Sequence, residues 1–489
     1  MNIRQNFKLK KRNKTEWLLG LLLVASPWIL LFFTTTILAK HSVLNSTPCW
    51  SDELTYWHEV LSLSQKGLNF GYYTMNEALP KYLSFGTHGF GTVSVYALFA
   101  KVFGWKIYSI VIANAFFMSL AFLTLNTVTK IPAKRLLYIL IFGLTYLPLV
   151  LFSSTSMTEL LNFSIKIIYF GLLYVYFKRG GSVLLVFLLV FCMAISFVRI
   201  INIVLFLPLL FKRENEFKFD LRFFVQFLIW FLFSGLLFFV NNLFVSPYPD
   251  SFLVDLFASK GFGDFMSNFA THFVQNTWNL INPFSENIIQ VFERYFIIFI
   301  CVVSLLKSKL IQTGFKRVEI DYFIVFLILF LFLVINVAAY DVFDWRDYRV
   351  MAPVLFGCIL FLILNGKAFI TYNVLIINLL GLILMLISPQ VLESFSKDRY
   401  LIPAENKLLN KIEYTQNPKS GFENTIAVQQ FNTKTVLNIP AGIGISYSDT
   451  ISDKLRSRYI FTDKKIRLKT YNLISSDRIG FLYMRNSVE

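Results

Sequence analysis

Residues 17–38 read WLLGLLLVASPWILLFFTTTIL, without a single charge. A helix of about 20 apolar residues crosses the hydrocarbon layer and satisfies its own backbone hydrogen bonds there. Basic residues precede the run: Arg4, Lys8, Lys10, Lys11, Arg12 and Lys14. The run is longer than a signal-peptide core, and no small-residue cleavage site follows it. Both features predict a retained first helix with its N-terminus in the cytoplasm.

Outward from this helix, apolar blocks recur at about 107–128, 136–152, 159–177, 183–197, 200–211, 223–245, 291–306, 322–340, 350–364 and 371–388. Basic residues mark alternate connections: Lys130, Lys134 and Arg135; Lys178 and Arg179; Lys212 and Arg213; Lys307, Lys309, Lys316 and Arg317. Loops rich in Lys and Arg stay cytoplasmic, so eleven passages close with every inner loop basic. Residues 39–106 and 246–290 are then outer loops. Residues 88–104 are apolar but short and Gly-rich. Counted as a span they would move Lys130, Lys134 and Arg135 outside, so they read as a helix on the outer interface. Residues 390–489 are polar, with strand-like runs at 425–428 and 478–483. The expected fold is an α-helical polytopic membrane protein of the plasma (inner) membrane. About 11 transmembrane helices occupy residues 1–389, and a small extracytoplasmic α+β domain occupies 390–489.

Composition agrees. Charged residues make up 15% of the chain, against about a quarter in soluble proteins. The net charge of +17 would suit a nucleic-acid partner, but the basic residues sit in clusters between apolar blocks, where topology accounts for them. Cys49, Cys192, Cys301 and Cys358 have no metal-site or disulfide spacing and read as packing residues.

Charges beside a membrane are costly and tend to face cavities. By this topology Asp52 and Glu53, Glu159, Arg199, and the run 344–349 with Asp344, Arg346, Asp347 and Arg349 all meet the outer face. Arginine binds phosphate oxygens bidentately, and a carboxylate can take a hydroxyl proton. Together they suit a lipid-linked phosphate. Structural readings stand beside this one: loop charges, a macrodipole-favoured Glu159, a snorkelling Arg199. Asp52, Tyr56 and Glu59 share a face if Ser51 caps a helix; an aromatic beside a carboxylate suits sugar stacking or interface docking. His58, His88 and His272 have no metal-binding spacing. Lys166, inside the fourth span, finds no place in this scheme.

These marks, in order, resemble the GT-C class of glycosyltransferases, which use polyprenyl-phosphate-linked sugars and include protein O-mannosyltransferases and lipid A aminoarabinose transferases. The resemblance covers about 15–390. Ser51-Asp52-Glu53-Leu54 resembles the first acidic motif. Pro80-Lys81-Tyr82 and Thr87-His88-Gly89 resemble the segment before the interfacial helix, without the two prolines after the histidine. Ser156-Met-Thr-Glu159 resembles the second acidic motif. Ser196-Phe-Val-Arg199 resembles a motif whose proline is here Ile200. Trp345-Arg346-Asp347-Tyr348-Arg349 with Pro353 resembles the late Arg-Tyr…Pro motif, with Asp347 inserted.

The resemblance implies an inverting transfer from a polyprenyl-phosphate sugar to a surface glycan, lipid or protein acceptor, as in lipopolysaccharide or O-antigen modification. In it Asp52, Glu53 and Glu159 are catalytic. Arg346, Arg349, Arg199 and Tyr348 bind the donor phosphate. Tyr56, Lys81 and His88 meet acceptor or sugar. Asp52 and Glu159 would hold a divalent cation, magnesium or manganese. The rival readings are a flippase for a lipid-linked glycan, which needs a polar path across the membrane, and an O-antigen ligase or polymerase, which uses a diphosphate carrier.

Overall fold

The structure, a computed structural model, describes residues 12–68, 73–77, 89–211, 221–245, 259, 261–282, 288–313, 318–339, 348–388, 399–400, 407–416, 418–429, 433–477 and 480–486. Helix α1 (Lys14–Phe32) continues through a π-helical turn, Phe33–Leu38. Then come α2 (Ser51–Lys66), strand β1 (Tyr73–Met75) and α3 (Phe90–Phe103). The bundle goes on through α4 (Ser109–Thr129), α5 (Ala133–Thr145), α6 (Leu147–Phe152), α7 (Glu159–Arg179) and α8 (Ser182–Val198). A 3₁₀ segment, Ile200–Leu210, leads to α9 (Leu221–Asn242), α10 (Phe262–Ile281) and α11 (Ile288–Lys307). Helices α12 (Ile320–Ala339), α13 (Tyr348–Leu364) and α14 (Ala368–Ile387) complete it.

Among the described residues six of these helices are long and apolar enough to cross a membrane: α1 with its π turn, α4, α7, α9, α12 and α14. Helix α7 is apolar almost all round and buried along nearly its whole length, as a helix at the centre of a bundle must be. It packs against α4 and α13 through small residues. A Cβ on Gly171 would lie 2.7 Å from the Leu125 side chain of α4, and one on Gly357 of α13 would lie 2.4 Å from the Phe170 ring. Close helix approach inside a membrane rests on such residues.

Several expected elements take a different form. The block at 136–152 is two helices, because Pro148 cannot continue a helix and the chain turns extended at Tyr146 (ψ 108°). The block at 200–211 is 3₁₀ rather than α. The expected outer loop 246–290 contains α10, whose Phe262, Val274 and Trp278 are exposed.

Toward the C-terminus, β2 (Thr425–Gln429), β3 (Gly444–Ser448), β4 (Tyr459–Thr462), β5 (Tyr471–Ser476) and β6 (Phe481–Arg485) form one sheet of order β1-β3-β2-β4-β6-β5. The strand-like runs at 425–428 and at the end of 478–483 are β2 and β6; residues 478–479 lie outside the described residues. Strands β1, β3, β2 and β4 run parallel, and β6 pairs antiparallel with β4 and β5. Edge strand β1 comes from the first loop, more than three hundred residues upstream of its partner. Leu54 of α2 sits in the same apolar cluster as Ile426, Ile445 and Phe461 of the sheet. The C-terminal sheet is thus built jointly with the first loop.

Candidate active site at one end of the bundle

Helix α2 starts one residue earlier than a Ser51 cap would place it: Trp50 is at the cap position, and Ser51 is the first helical residue. Two reciprocal indole bonds dock the helix on the α3–α4 link. Trp57 Nε1 donates to the Lys106 carbonyl and Trp105 Nε1 to the Trp57 carbonyl, each at 2.9 Å. On its other side, His58 Nε2 lies 3.2 Å from the carbonyl oxygens of Ile439 and Pro440, and Gly442 N donates to Ser62 Oγ at 3.0 Å. Burial lowers the His58 pKa to about 4, so the ring is neutral and Nε2 carries the donated proton.

This docking aims Asp52 at the start of α13. Arg349 Nη2 lies 2.7 Å from Asp52 Oδ2, and Arg349 Nε lies 3.8 Å from Glu159 Oε1. Arg199, at the junction of α8 and the 3₁₀ segment, donates to the same Glu159 oxygen at 2.8 Å. Glu159 opens α7, where the helix dipole favours a negative charge. The four groups come from four distant segments and form two pairs. The inner one, Glu159–Arg199, has side chains 0% and 7% exposed; the front one, Asp52–Arg349, has 38% and 27%. Tyr56, one turn beyond Asp52, is buried among them. Burial raises its phenol pKa, and so does the Asp52 charge, against the opposing pull of Arg199.

Glu53 is a correction. It is fully buried and cannot meet an acceptor. Its Oε2 accepts from Cys49 N (2.8 Å) and Trp50 N (3.1 Å), and its Oε1 accepts from Ser156 N (3.0 Å) and Arg399 Nη1 (2.8 Å). Burial pulls the Arg399 pKa down, but the Glu53 carboxylate outweighs this and holds it above its ordinary value. The guanidinium also lies over the Trp50 ring, 4.2 Å from its centroid. Glu53 therefore fastens α2, the turn before α7 and the C-terminal segment to one another.

Other polar groups were not legible as site residues. Tyr96 of α3 bonds Asn114 Oδ1, and Asn114 Nδ2 donates to the Met157 carbonyl at 2.8 Å. Both side chains are fully buried. They shape the turn that delivers Glu159. Tyr447 of β3 reaches Thr55 and faces Asp52 and Glu59; burial raises its phenol pKa well above the usual range. Lys166, unplaced by the sequence, pairs with Asn202 Oδ1 of the 3₁₀ segment, and Asn202 Nδ2 donates to the Ile195 carbonyl at 2.9 Å.

Lys81, His88 and Arg346 lie outside the described residues. Tyr348 begins α13. A resident divalent cation between Asp52 and Glu159 does not fit, since the Arg349 guanidinium already lies between these carboxylates. Among the described residues no three His, Cys, Asp or Glu side chains converge. No protein-family model matches the chain, and no curated protein matches it in sequence.

Proposed function

We propose that the chain is an inverting glycosyltransferase of the extracytoplasmic membrane face that moves a sugar from a polyprenyl-phosphate carrier to a hydroxyl of a surface glycan, lipid or protein. The observation that carries this reading is the convergence of Asp52, Glu159, Arg199 and Arg349 at one end of the bundle, with the front pair accessible. The far ends of the same helices carry a different set. Lys367 meets Glu319 at 2.9 Å and Asp321 at 3.3 Å, and Lys309 meets Glu319 at 3.5 Å. These helix ends also carry Lys178 and Arg179, opposite Glu159 on α7, and ends with an excess of basic residues belong on the cytoplasmic side; this supports an outer four-charge site. The six long helices, with α5–α6, α8, the 3₁₀ segment, α11 and α13, supply eleven passages.

In the reaction, the donor's phosphate sits against Arg349, with Arg199 behind it, and its prenyl chain stays in lipid. Asp52 accepts the proton of the acceptor hydroxyl. The hydroxyl oxygen bonds to the anomeric carbon from the face opposite the phosphate. The anomeric C–O bond to phosphate breaks, and its electron pair leaves on the phosphate oxygen, whose growing charge the guanidiniums stabilise. Configuration inverts, and Asp52 returns its proton to solvent. Glu159 holds both arginines in place, and Tyr56, buried behind Asp52, packs against this set rather than reaching the sugar.

Purified protein in nanodiscs, given radiolabelled polyprenyl-phosphate sugars and cell-envelope acceptors, should transfer label. Asp52→Asn should reduce transfer by about 10²–10⁴-fold, the usual contribution of a general base, with an unchanged melting temperature. Undiminished transfer by Asp52→Asn removes the base; transfer from diphosphate carriers alone selects a ligase or polymerase instead.

A further inference from the structure

The reaction asks two things of the front pair that its geometry makes exclusive. Arg349 must meet the phosphate and Asp52 must meet the acceptor hydroxyl, yet each is the other's partner at 2.7 Å. The four charges of the cluster sum to zero, two carboxylates against two guanidiniums. Among the described residues each guanidinium of the cluster already faces a carboxylate, so a phosphate that binds Arg349 competes with Asp52 for it. The inner pair cannot supply a guanidinium, because separating Glu159 from Arg199 would strand a charge in a fully buried place. The front pair is partly solvated, and exchange of partners there is cheap. Arg349 is also held from behind: its Nε lies 3.8 Å from Glu159 Oε1. Glu159 can thus keep Arg349 in the site while its outer edge changes partner.

We propose, resting on the glycosyl-transfer reading, that the Asp52–Arg349 ion pair is a resting latch: the donor's phosphate takes Arg349 from Asp52, and the carboxylate becomes available to the acceptor only once the lipid-linked sugar is bound. Arg349 then both binds the donor and restrains the base. Binding is ordered, donor first. Because Asp52 competes with phosphate for the guanidinium, its removal strengthens phosphate binding, the reverse of what loss of an ordinary site residue does.

The test is the affinity of a polyprenyl monophosphate for the full chain in nanodiscs, measured for the native protein, Asp52→Asn and Arg349→Gln. Asp52→Asn should bind about tenfold more tightly and Arg349→Gln about tenfold more weakly. The gain in Asp52→Asn should persist at about 0.5 M salt, where charges beyond direct contact are screened. An Asp52→Asn affinity equal to or below native, with Arg349→Gln weakened, overturns the latch and leaves the transferase reading standing. A gain that vanishes in salt also overturns it, since a diffuse field rather than a shared partner then explains the effect. Equal affinities of the native protein and Arg349→Gln overturn the latch together with the phosphate role of Arg349.

Discussion

Asp52 and Glu53 are neighbours in sequence with opposite fates, because successive helical residues point roughly 100° apart. Asp52 faces the arginines, while Glu53 turns back to four hydrogen-bond donors in the interior. Glu53→Gln leaves the buried Arg399 without its counter-charge, which costs about 3–5 kcal/mol for a buried pair. Thermal unfolding in detergent should show a marked fall in melting temperature, and adding Arg399→Met to Glu53→Gln should recover part of it. His58 predicts a pH dependence. Its pKa falls from 6.5 unfolded to about 4 folded, so the unfolded chain binds more protons between these values, and stability is full above pH 6.5 and lost as pH drops toward 4. The loss is on the order of 3 kcal/mol. Melting curves over this range should be flatter in His58→Gln; equal slopes would remove the histidine as the cause. Asp52, Glu159, Arg199 and Arg349 were legible in the sequence because a charge in an apolar chain is costly enough to need a reason. Arg399, in a polar stretch, carries no such mark, and neither does Asn114, whose amide is spent on a loop carbonyl.

Spans rest on the physics of a whole apolar segment, and there the sequence reads well: α4 covers Ser109–Thr129 against an expected 107–128, and α7 covers Glu159–Arg179 against 159–177. Apolar length gives little warning of the break at Tyr146, the 3₁₀ winding of Ile200–Leu210 or the amphipathic α10, because each depends on packing or on a single residue. The helix at Phe90–Phe103 shows how tight such packing is. A Cβ on Gly91 would stand 2.1 Å from the Phe197 carbonyl oxygen, and Thr92 Oγ1 donates to the Val198 carbonyl at 2.8 Å. These contacts hold the end of α8 immediately before Arg199. Gly91→Ala must push α3 from α8, at the 1–3 kcal/mol typical of overpacking. It should reduce transfer more than Gly235→Ala, whose Cβ would meet open space; equal loss in both would show that the α3–α8 contact does not govern the site.

At the scale of the whole molecule, α7 joins the two faces. It is 21 residues long, hence about 30 Å, the thickness of the hydrocarbon layer. Glu159 stands at one end and Lys178 and Arg179 at the other. A cysteine placed at position 52 and one placed at position 309, each in a background without the native cysteines, should react with impermeant thiol reagents from opposite sides of the membrane. Labelling from the same side would end the proposed orientation. The general layout was legible because hydropathy and charge are additive along the chain; the sheet that takes β1 from the first loop was not, since strand pairing across so long a separation leaves no local trace. That pairing also has a consequence for biosynthesis. Tyr73–Met75 finds its partner at Ile445–Tyr447, so a nascent chain can have all its helices inserted while this edge still waits for residues the ribosome has not yet made. The sheet is therefore completed after the bundle, and a transcript cut short before codon 445 yields a chain whose β1 has no strand to pair with.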